Sequence, residues 1–307
     1  MMLMEKYGGI DIGSNAIRLL ISTVTQMDEK PPRFKKTSLV RVPIRLGADV
    51  FLNGAISAVS IDRMIDAMSA YRLLLKNHNV VRYRACATSA MREASNGPDV
   101  VARIQEATGI QIEIIDGEIE ADIIAATDFG NFIGTEKAFL YVDVGGGSTE
   151  FTLYSEGQVI VSRSFKLGTV RILNDMVRES MWDDVRAWIT EVTSGYDKIN
   201  VIGSGGNINS IYANSGKKIG KPLSYFFLVN YFELLKSMTY HERIYELEMN
   251  PDRADVIIPA TKIYLSAMKW SRAKNIYVPK IGLADGMVKR MYQDPNQGHG
   301  LQTLFED

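Results

Sequence analysis

The sequence predicts an α/β protein of two domains that begin alike. Extended apolar segments alternate with segments of helical spacing, which indicates sheets covered by helices. The 307 residues reach the size at which single hydrophobic cores stop growing, near about 250 to 300 residues. GIDIGSNAIRLLI near the start recurs in altered form as YVDVGGGSTEFTL near the middle, so each half opens with a strand, a glycine turn and a second strand.

The first half is predicted to be a hairpin followed by alternating helices and strands. YGGID and AIRLLISTV are extended, and the GSN tripeptide between them forms the turn. A third strand, KKTSLVRVPIRLG, precedes a helix in which Ile61, Met64 and Met68 recur at helical spacing. The strand YRACATSA, a helix over 98–108, the strand IQIEIID and the helix GEIEADIIAATDFG complete this half.

The second half repeats this opening and then becomes mainly helical. AFLYVDVGGGSTEFTLYSEGQVIVSRSFKLG predicts three strands joined by turns, and INVIGSGG predicts a further short strand. GLADGMVKRMYQ is the last predicted helix. The other helices predicted in this half cover 182–195, 207–214, 230–238 and 254–272.

The composition is that of an ordinary globular protein. Lys and Arg number 35 against 36 Asp and Glu, so no overall field attracts the chain to nucleic acid or to an anionic membrane, and an anionic substrate must be bound locally. The single cysteine, Cys86, excludes an intramolecular disulfide, and no secretory signal or membrane-spanning segment is recognisable. We therefore expect a cytoplasmic protein.

Three glycine turns follow apolar strands, at 13–15, 145–148 and 203–207. Glycine lets successive backbone N–H groups converge on an anion without obstruction by side chains, and a phosphate chain suits such a cradle. Any one of these turns is more often a plain hairpin. The three together favour phosphate binding.

Two familiar nucleotide motifs are excluded. A P-loop around Gly220 and Lys221 would need glycine where Ser215 stands and Ser or Thr where Pro222 stands. A dinucleotide fingerprint on GSGGN would need glycine in place of Ile208.

Carboxylates are concentrated beside the glycine turns and at one helix start. Mg²⁺ usually joins one or two carboxylates to substrate phosphates and keeps several waters, and Asp143 and Asp11 are the best candidates to hold it. Glu118 is interpreted as an acid that favours the helix dipole. The clustered acids are Asp11, Asp143 and Glu150 at the turns and Asp116, Glu118 and Glu120 at the helix start.

Glu120 and two arginines are further candidates. Glu120 lies two residues after Glu118 in the same predicted helix. It could face an interdomain cleft, in which a carboxylate can orient or deprotonate water. Arg18 and Arg92 carry guanidinium groups that match phosphate oxygens bidentately, although a surface salt bridge is the alternative for each.

Seven segments, in order along the chain, resemble the exopolyphosphatase and guanosine pentaphosphate phosphohydrolase (Ppx/GppA) family. They are GIDIGSNAIRLLI, ATSAMREASN, EIIDGEIEAD, YVDVGGGSTEF, SFKLGTVRI, GSGGN and PDRADVIIPA. The resemblance implies a duplicated actin-like ATPase (ribonuclease H-like) fold with two domains around a cleft, in the family's short two-domain form. The first domain would cover 1–135, with the C-terminal helix 283–307 packed on it, and the second 136–282.

The resemblance also implies roles for individual residues. Glu120 resembles the residue that activates water, and Asp143 and Glu150 resemble organisers of metal and water. The implied phosphate contacts are Ser14, Asn15, Arg18, Arg92, Gly145, Gly146, Gly147, Ser148, Gly205 and Gly206. Two positions depart from the family pattern, because Asp122 replaces an arginine and Ile119 replaces a glutamate, and both changes are expected to alter substrate affinity.

The function expected from the resemblance is an Mg²⁺-dependent exopolyphosphatase that removes terminal phosphates from inorganic polyphosphate, as a homodimer. Hydrolysis of the 5′ phosphate of guanosine pentaphosphate is the alternative with the same chemistry. A phosphotransferase on the same superfold and a non-catalytic sensor of polyphosphate or of an alarmone are the alternatives from other classes. No binding to a nucleic acid polymer or to a membrane is expected.

Overall fold

The computed structural model describes residues 2–127 and 138–301. The chain divides into two compact units: unit 1 combines the chain up to Thr127 with the chain from Gly282 onward, and unit 2 is the part between them. The domain boundary expected at 135/136 and the last six residues of the segment 283–307 lie outside the described residues.

The helices and strands follow one another in the order that the alternating pattern suggests. The first part of the chain contains β1 (Met2–Ile12), β2 (Ile17–Met27), β3 (Arg33–Val42), α1 (Leu46–Asn53), α2 (Ala58–Asn77), β4 (Arg82–Ala87), α3 (Ser89–Glu93), α4 (Gly97–Thr108), β5 (Glu113–Ile114) and α5 (Gly117–Ala125). Unit 2 contains β6 (Ala138–Val144), β7 (Thr149–Ser155), β8 (Gln158–Phe165), α6 (Thr169–Leu173), α7 (Glu179–Thr193), β9 (Ile199–Ser204), α8 (Gly206–Asn214), β10 (Leu223–Ser224), α9 (Tyr225–Ser237), α10 (Tyr240–Tyr245), α11 (Pro251–Ala254), α12 (Ile257–Trp270) and β11 (Asn275–Tyr277). The chain then returns to unit 1 with α13 (Leu283–Gln293) and β12 (His299–Gly300).

The sheet of unit 1 is built around the hairpin at the start of the chain. Its strand order is β12-β4-β1-β2-β3, with β5 beside β4. β1 is antiparallel to β2 and parallel to β4, because a two-strand hairpin must reverse the chain whereas β4 returns through α1 and α2. Buried apolar residues such as Ile10 and Leu19 line the middle of this sheet.

The sheet of unit 2 has the same plan. Its order is β10-β11-β9-β6-β7-β8, so β8-β7-β6-β9-β11 matches β3-β2-β1-β4-β5 strand for strand. β6 is antiparallel to β7 and parallel to β9. This shared order is the strand arrangement of the actin-like fold, and it confirms the duplicated α/β architecture predicted from the repeated motif.

The last helix of the chain, α13, packs on β1 and α5 within unit 1. Gly286 allows this close approach, because a Cβ there would lie 2.1 Å from the carbonyl oxygen of Ile123. An ion pair of 2.8 Å between Lys36 and Asp285 also links the helix to β3. The segment that follows unit 2 in the sequence is thereby part of the first unit's core.

Several predicted elements were wrong in extent. α1 and α3 are helices that were not predicted, and each begins within the last two residues of a predicted strand, KKTSLVRVPIRLG or YRACATSA. Both begin without a side-chain cap, which is the usual local signal for a helix start. Only Glu113–Ile114 of IQIEIID is a strand, and the helix predicted over 254–272 corresponds to α12, because α11 ends at Ala254. In the described part of the chain, no helix has the length and apolar character needed to cross a membrane.

Candidate functional site

The first glycine turn joins β1 to β2 and is held by the segment that starts α1. The carbonyl oxygens of Ser14 and Asn15 accept hydrogen bonds from the backbone N–H groups of Gly47 (2.7 Å) and Arg45 (3.0 Å). The hydroxyl groups of Ser14 and Ser89 are 2.9 Å apart, which connects the turn to the start of α3. The turn is therefore fixed on both sides by elements distant in sequence.

The second glycine turn, between β6 and β7, is held in the same way by α6. Its carbonyl oxygens, from Gly145, Gly146 and Gly147, accept from Thr169 N (3.0 Å), Val170 N (2.9 Å) and Arg171 Nε (2.8 Å) respectively. Gly146 and Gly147 are buried, yet within the described residues their N–H groups donate to no acceptor. An unpaired buried N–H group is costly, so an anionic oxygen at this turn would be stabilised.

Gly168 makes the contact between α6 and the second turn possible. A Cβ at this position would lie 2.2 Å from the carbonyl oxygen of Gly146, which no side chain tolerates. Gly47 holds the equivalent place beside the first turn, where a Cβ would lie 3.1 Å from the Cβ of Ser14. Neither glycine was predicted as a site residue, although each directly follows a leucine that comes a few residues after the third strand of its half.

The third glycine turn lies against the second one in unit 2. β9 pairs with β6 in a register that places Ser204 beside Asp143, and α8 begins immediately afterwards. Gly205 has φ of 105°, a conformation that favours glycine. A Cβ there would lie 3.0 Å from the carbonyl oxygen of Val144 and 3.4 Å from Oδ1 of Asp143. The structure thus brings the second and third predicted turns together around one carboxylate.

Glu150 is opposite Asp143 in the hairpin of β6 and β7. Its side chain is buried, and Oε1 accepts hydrogen bonds from the hydroxyl groups of Ser148 (2.6 Å) and Ser164 (2.8 Å). These two hydroxyl donors fix the orientation of the carboxylate.

Hydroxyl groups also surround Asp143. Its Oδ2 accepts from Ser204 Oγ (3.1 Å) and from the Tyr141 hydroxyl (3.3 Å), and the Tyr264 hydroxyl donates to the carbonyl oxygen of Ser204. Burial raises the pKa of Tyr141 and of Tyr264, and the negative charge of Asp143 raises both further. Both tyrosines are therefore neutral donors. Ser204 lies in the GSGGN motif and Tyr141 in YVDVGGGSTEF, whereas Tyr264 lies in none of the motifs quoted above.

In unit 1, two of the predicted acids, Asp11 and Glu120, lie near the ends of β1 and β4. Asp11 forms an ion pair of 2.7 Å with Arg18, its partner across the hairpin, and lies beside Cys86 in the sheet. Burial raises the pKa of the Cys86 thiol to about 12, and the charges of Asp11 and Glu120 contribute to the rise. Asp11 and Glu120 therefore lie within electrostatic reach of the same thiol.

Glu120 differs from its neighbour in exposure. Asp116 caps α5 by accepting a hydrogen bond of 2.8 Å from the backbone N–H of Ile119, which places both Glu118 and Glu120 in the first turn. Glu118 is exposed, whereas Glu120 is only 9% exposed. This orientation fits the interpretation of Glu118 as a helix-start acid and of Glu120 as a functional group.

Two further predicted positions have identifiable partners. Arg92 donates a hydrogen bond of 2.6 Å to the carbonyl oxygen of Ile115, just before α5. Asp122, where the family usually has arginine, forms an ion pair of 2.7 Å with Arg290 of α13. Ile119, where the family usually has glutamate, is 43% exposed and carries no charge. The charge at position 122 therefore serves the attachment of α5 to α13.

The residues present fit a magnesium ion held mainly by one carboxylate. In the part of the chain that the structure describes, no three His, Cys, Asp or Glu side chains form a metal-binding group. Mg²⁺ needs fewer, since it usually takes one or two carboxylates and completes its shell with water and substrate phosphates. Asp143 offers a carboxylate oriented by hydroxyl donors, whereas the Arg18 guanidinium already neutralises Asp11.

A model of the Ppx/GppA phosphatase family matches residues 24–294. The chain belongs to this family. The match confirms the resemblance on which the predicted phosphatase activity depends. It also includes the second and third glycine turns, both acids of the β6–β7 hairpin and Glu120.

Curated relatives of this Ppx/GppA family member carry phosphatase names. Exopolyphosphatase 2 of Mycobacterium tuberculosis is 33% identical over 179 residues, which cover 56% of this chain and 54% of the relative. A bifunctional 3-dehydroquinate synthase/phosphatase of Fusobacterium nucleatum is 33% identical over 174 residues, 53% of this chain and 25% of the relative. The chain thus spans about half or less of these two proteins. Exopolyphosphatase 1 of M. tuberculosis is 21% identical, with 96% of this chain and 91% of the relative covered.

Solved structures share the fold of this Ppx/GppA chain over almost its whole length. An exopolyphosphatase from Cytophaga hutchinsonii has a TM-score of 0.79 at 24% identity, with 94% of this chain and 98% of that chain covered. The Ppx/GppA family member of Aquifex aeolicus has a TM-score of 0.75 at 23% identity, with 96% and 99% covered. At these identities the likeness concerns the fold.

Proposed function

We propose that this chain is an exopolyphosphatase, which removes terminal phosphates from inorganic polyphosphate by attack of a water molecule that Glu120 activates. One observation carries the proposal: the second glycine turn directs its carbonyl oxygens to α6 and leaves the N–H groups of Gly146 and Gly147 without acceptors in the described residues. Family membership and the names of the curated relatives support the same reaction.

The turn supplies the charge stabilisation that the reaction needs. Phosphoryl transfer requires little covalent chemistry from a protein, because positioning and stabilisation of the charge on the phosphate oxygens account for most of the catalysis. The N–H groups of Gly146, Gly147 and Ser148 would hold the terminal phosphate, with Gly205 and Gly206 on the adjoining turn. Mg²⁺, when bound beside Asp143, would neutralise phosphate oxygens.

The water is activated by a carboxylate. Its oxygen attacks the terminal phosphorus, its proton passes to Glu120, and the anhydride bond breaks with its electrons leaving on the shortened chain. Glu150, oriented by two serine hydroxyls, would order the water and the metal's hydration shell. Arg18 and Arg92 would add positive charge near the phosphates, together with Ser14 and Asn15 of the first turn.

Glu120→Gln tests the proposal, with Glu118→Gln as the matched control in the same helix turn. Phosphate release is measured from polyphosphate, guanosine pentaphosphate and ATP, each with and without a chelator. The glutamine at 120 keeps the shape but cannot accept the proton, so kcat on polyphosphate is expected to fall by about 10² to 10⁴. The exposed control should keep the parent kcat.

The substrate panel separates the alternatives. Faster turnover of guanosine pentaphosphate than of polyphosphate would assign the chain to the nucleotide reaction, and tight binding of either without phosphate release would assign it to a sensor. An unchanged kcat in the Glu120→Gln protein would remove Glu120 from the mechanism. Activity that a chelator does not reduce would remove Mg²⁺.

A further inference from the structure

A groove lined by lysines lies in unit 2, in the loop between α8 and β10. The groove encloses about 330 Å³. Pro222, Ser224 and Asn275 are among the residues that line it. We call it the lysine groove, after its exposed cations Lys217, Lys218 and Lys221.

A second groove of about 500 Å³ adjoins the first and shares Ser224 with it. It adds three exposed cations, Lys269, Arg272 and Lys274. Within the described residues, none of these six cations forms an ion pair with a carboxylate. Because the whole chain carries a formal net charge of −1, this is a local concentration of positive charge on an otherwise balanced protein.

The backbone of the lysine groove is fixed rather than loose. Lys221 N donates to the carbonyl oxygen of Lys218 at 3.1 Å, and Gly220 has φ of 86°, which makes this a turn that requires glycine at its third position. The hydroxyl of Tyr212 contacts the carbonyl oxygens of Lys218 (2.6 Å) and Lys221 (2.9 Å). The two lysines therefore stand at the ends of one tight turn that α8 holds in place.

The lysine groove is distant from the acids of the glycine turns in the same unit. β11 runs parallel to β9 with Ile276 beside Val201, so Asn275 lies at the end of the sheet opposite to Ser204. α8 spans nine residues, from Gly206 to Asn214, which is a length of about 14 Å, and it ends before the lysines begin. A substrate of two or three phosphates at the glycine turns cannot reach this groove.

We propose that the lysine groove binds the distal part of a long polyphosphate chain whose end is being hydrolysed at the glycine turns. This inference rests on the proposed function. A second contact on the same chain raises the effective concentration of the terminal phosphate without any change at the site of reaction. The groove thus makes the protein selective for long chains over short ones through KM.

The charge and the lining favour a phosphate chain over a nucleic acid. Successive phosphates present one negative charge each, which matches cations spaced along a groove. Among the described residues, no aromatic side chain lines the lysine groove, whereas sites for single-stranded nucleic acid use aromatic rings to stack bases. Phe226 is exposed in the adjoining groove, so the test includes RNA.

The test compares a triple variant with a charge-matched control. The variant is Lys217→Gln, Lys218→Gln and Lys221→Gln. The control removes three exposed cations in and beside β3 of unit 1: Lys30→Gln, Arg33→Gln and Lys35→Gln. Binding of end-labelled long-chain polyphosphate is measured by fluorescence anisotropy, so this result does not depend on hydrolysis, and kcat and KM are measured on long-chain polyphosphate and on tripolyphosphate.

For the variant, we expect the ratio of KM on long chains to KM on tripolyphosphate to rise roughly eightfold, because each exposed ion contact contributes about a factor of two. Anisotropy should show the same loss of affinity, and the slope of affinity against salt should decrease. The control should match the parent protein.

Three results would overturn the inference. The variant could keep the parent affinity for long chains, it could lose affinity for both substrates equally, or parent protein could bind a single-stranded RNA of matched charge more tightly than polyphosphate. If the parent binds long chains through the lysines but releases no phosphate from either substrate, the proposed function fails and the groove stands.

Discussion

Gly168→Ala is the sharpest test of the second glycine turn. The ideal Cβ at position 168 lies 2.2 Å from the carbonyl oxygen of Gly146, whereas ordinary van der Waals contact begins at 3.4 Å. The turn and the start of α6 must therefore separate by about 1.2 Å, the difference between these two distances. Gly168 has φ of −118°, which alanine adopts without strain, so the effect of the substitution is steric.

Two magnitudes follow from this displacement. Overpacking of a close contact costs about 1 to 3 kcal/mol of the free energy of unfolding, which leaves an ordinary domain folded. A shift of about 1 Å in groups that position a substrate lowers the rate by about 100-fold. We therefore expect Gly168→Ala to lower kcat/KM on polyphosphate by about 100-fold while the protein stays folded.

Urea unfolding followed by circular dichroism gives the stability, and phosphate release from polyphosphate gives kcat/KM. Gly195→Ala is the matched control in the same unit, because a Cβ there meets nothing within 4 Å. A folded Gly168→Ala protein with the parent kcat/KM would refute the reasoning, since the turn would then have moved without any effect on the substrate.

Three further predictions concern other parts of the chain. Ser204→Ala removes a hydroxyl donor from Asp143 and should raise the Mg²⁺ concentration for half-maximal activity by about 10- to 100-fold in a metal titration. Arg290→Ala breaks the partly exposed pair with Asp122 and should lower the free energy of unfolding by about 0.2 to 1 kcal/mol in urea, less so at high salt. The pKa of the Cys86 thiol is raised to about 12 in the folded protein, whereas it is about 8.5 in the unfolded chain. The protonated thiol therefore contributes to the free energy of unfolding at low pH, and this contribution is lost as the pH rises from about 8.5 to about 12. Between about pH 9 and pH 11, the parent should therefore lose about 1.4 kcal/mol per pH unit more than Cys86→Ala.

The parts of the structure predicted from the sequence are those with local causes. Strand, glycine turn and strand follow one another within a dozen residues, so both hairpins were identified from apolar alternation and glycine alone. The tight turn then fixes the pairing of Asp143 with Glu150, since a hairpin must oppose residues at equal distances from its turn. The capped start of α5 likewise separates Glu118 from Glu120 by helix geometry.

The missed parts have causes that are distant in the chain. Gly168 lies about 20 residues after the turn that it contacts, and nothing near it in sequence marks the contact. Tyr264 comes from α12 and reaches Ser204 across the fold, so its place beside Asp143 is fixed by packing. α1 follows Arg45, which has φ of 65° and gives no side-chain cap, and a helix with such a start has no local signal.

The two duplicated hairpins have the same backbone plan but different charges beside their glycine turns. Asp11 and Asp143 occupy the same place before their turns, and the residues paired with them across the hairpins are Arg18 and Glu150. In the first hairpin the pair is neutral, because the guanidinium and carboxylate form an ion pair of 2.7 Å. In the second hairpin both residues are acids that serine and tyrosine hydroxyls stabilise.

This difference in charge decides which hairpin suits a cation. Two carboxylates with neutral donors leave negative charge for Mg²⁺, whereas the ion pair of Asp11 leaves none and offers guanidinium hydrogens to an anion instead. We therefore favour Asp143 over Asp11 as the metal ligand and retain Arg18 as a phosphate contact. In this proposal, Arg18 would bind phosphate through the donors that Asp11 does not use, and Asp11 would hold that guanidinium in place.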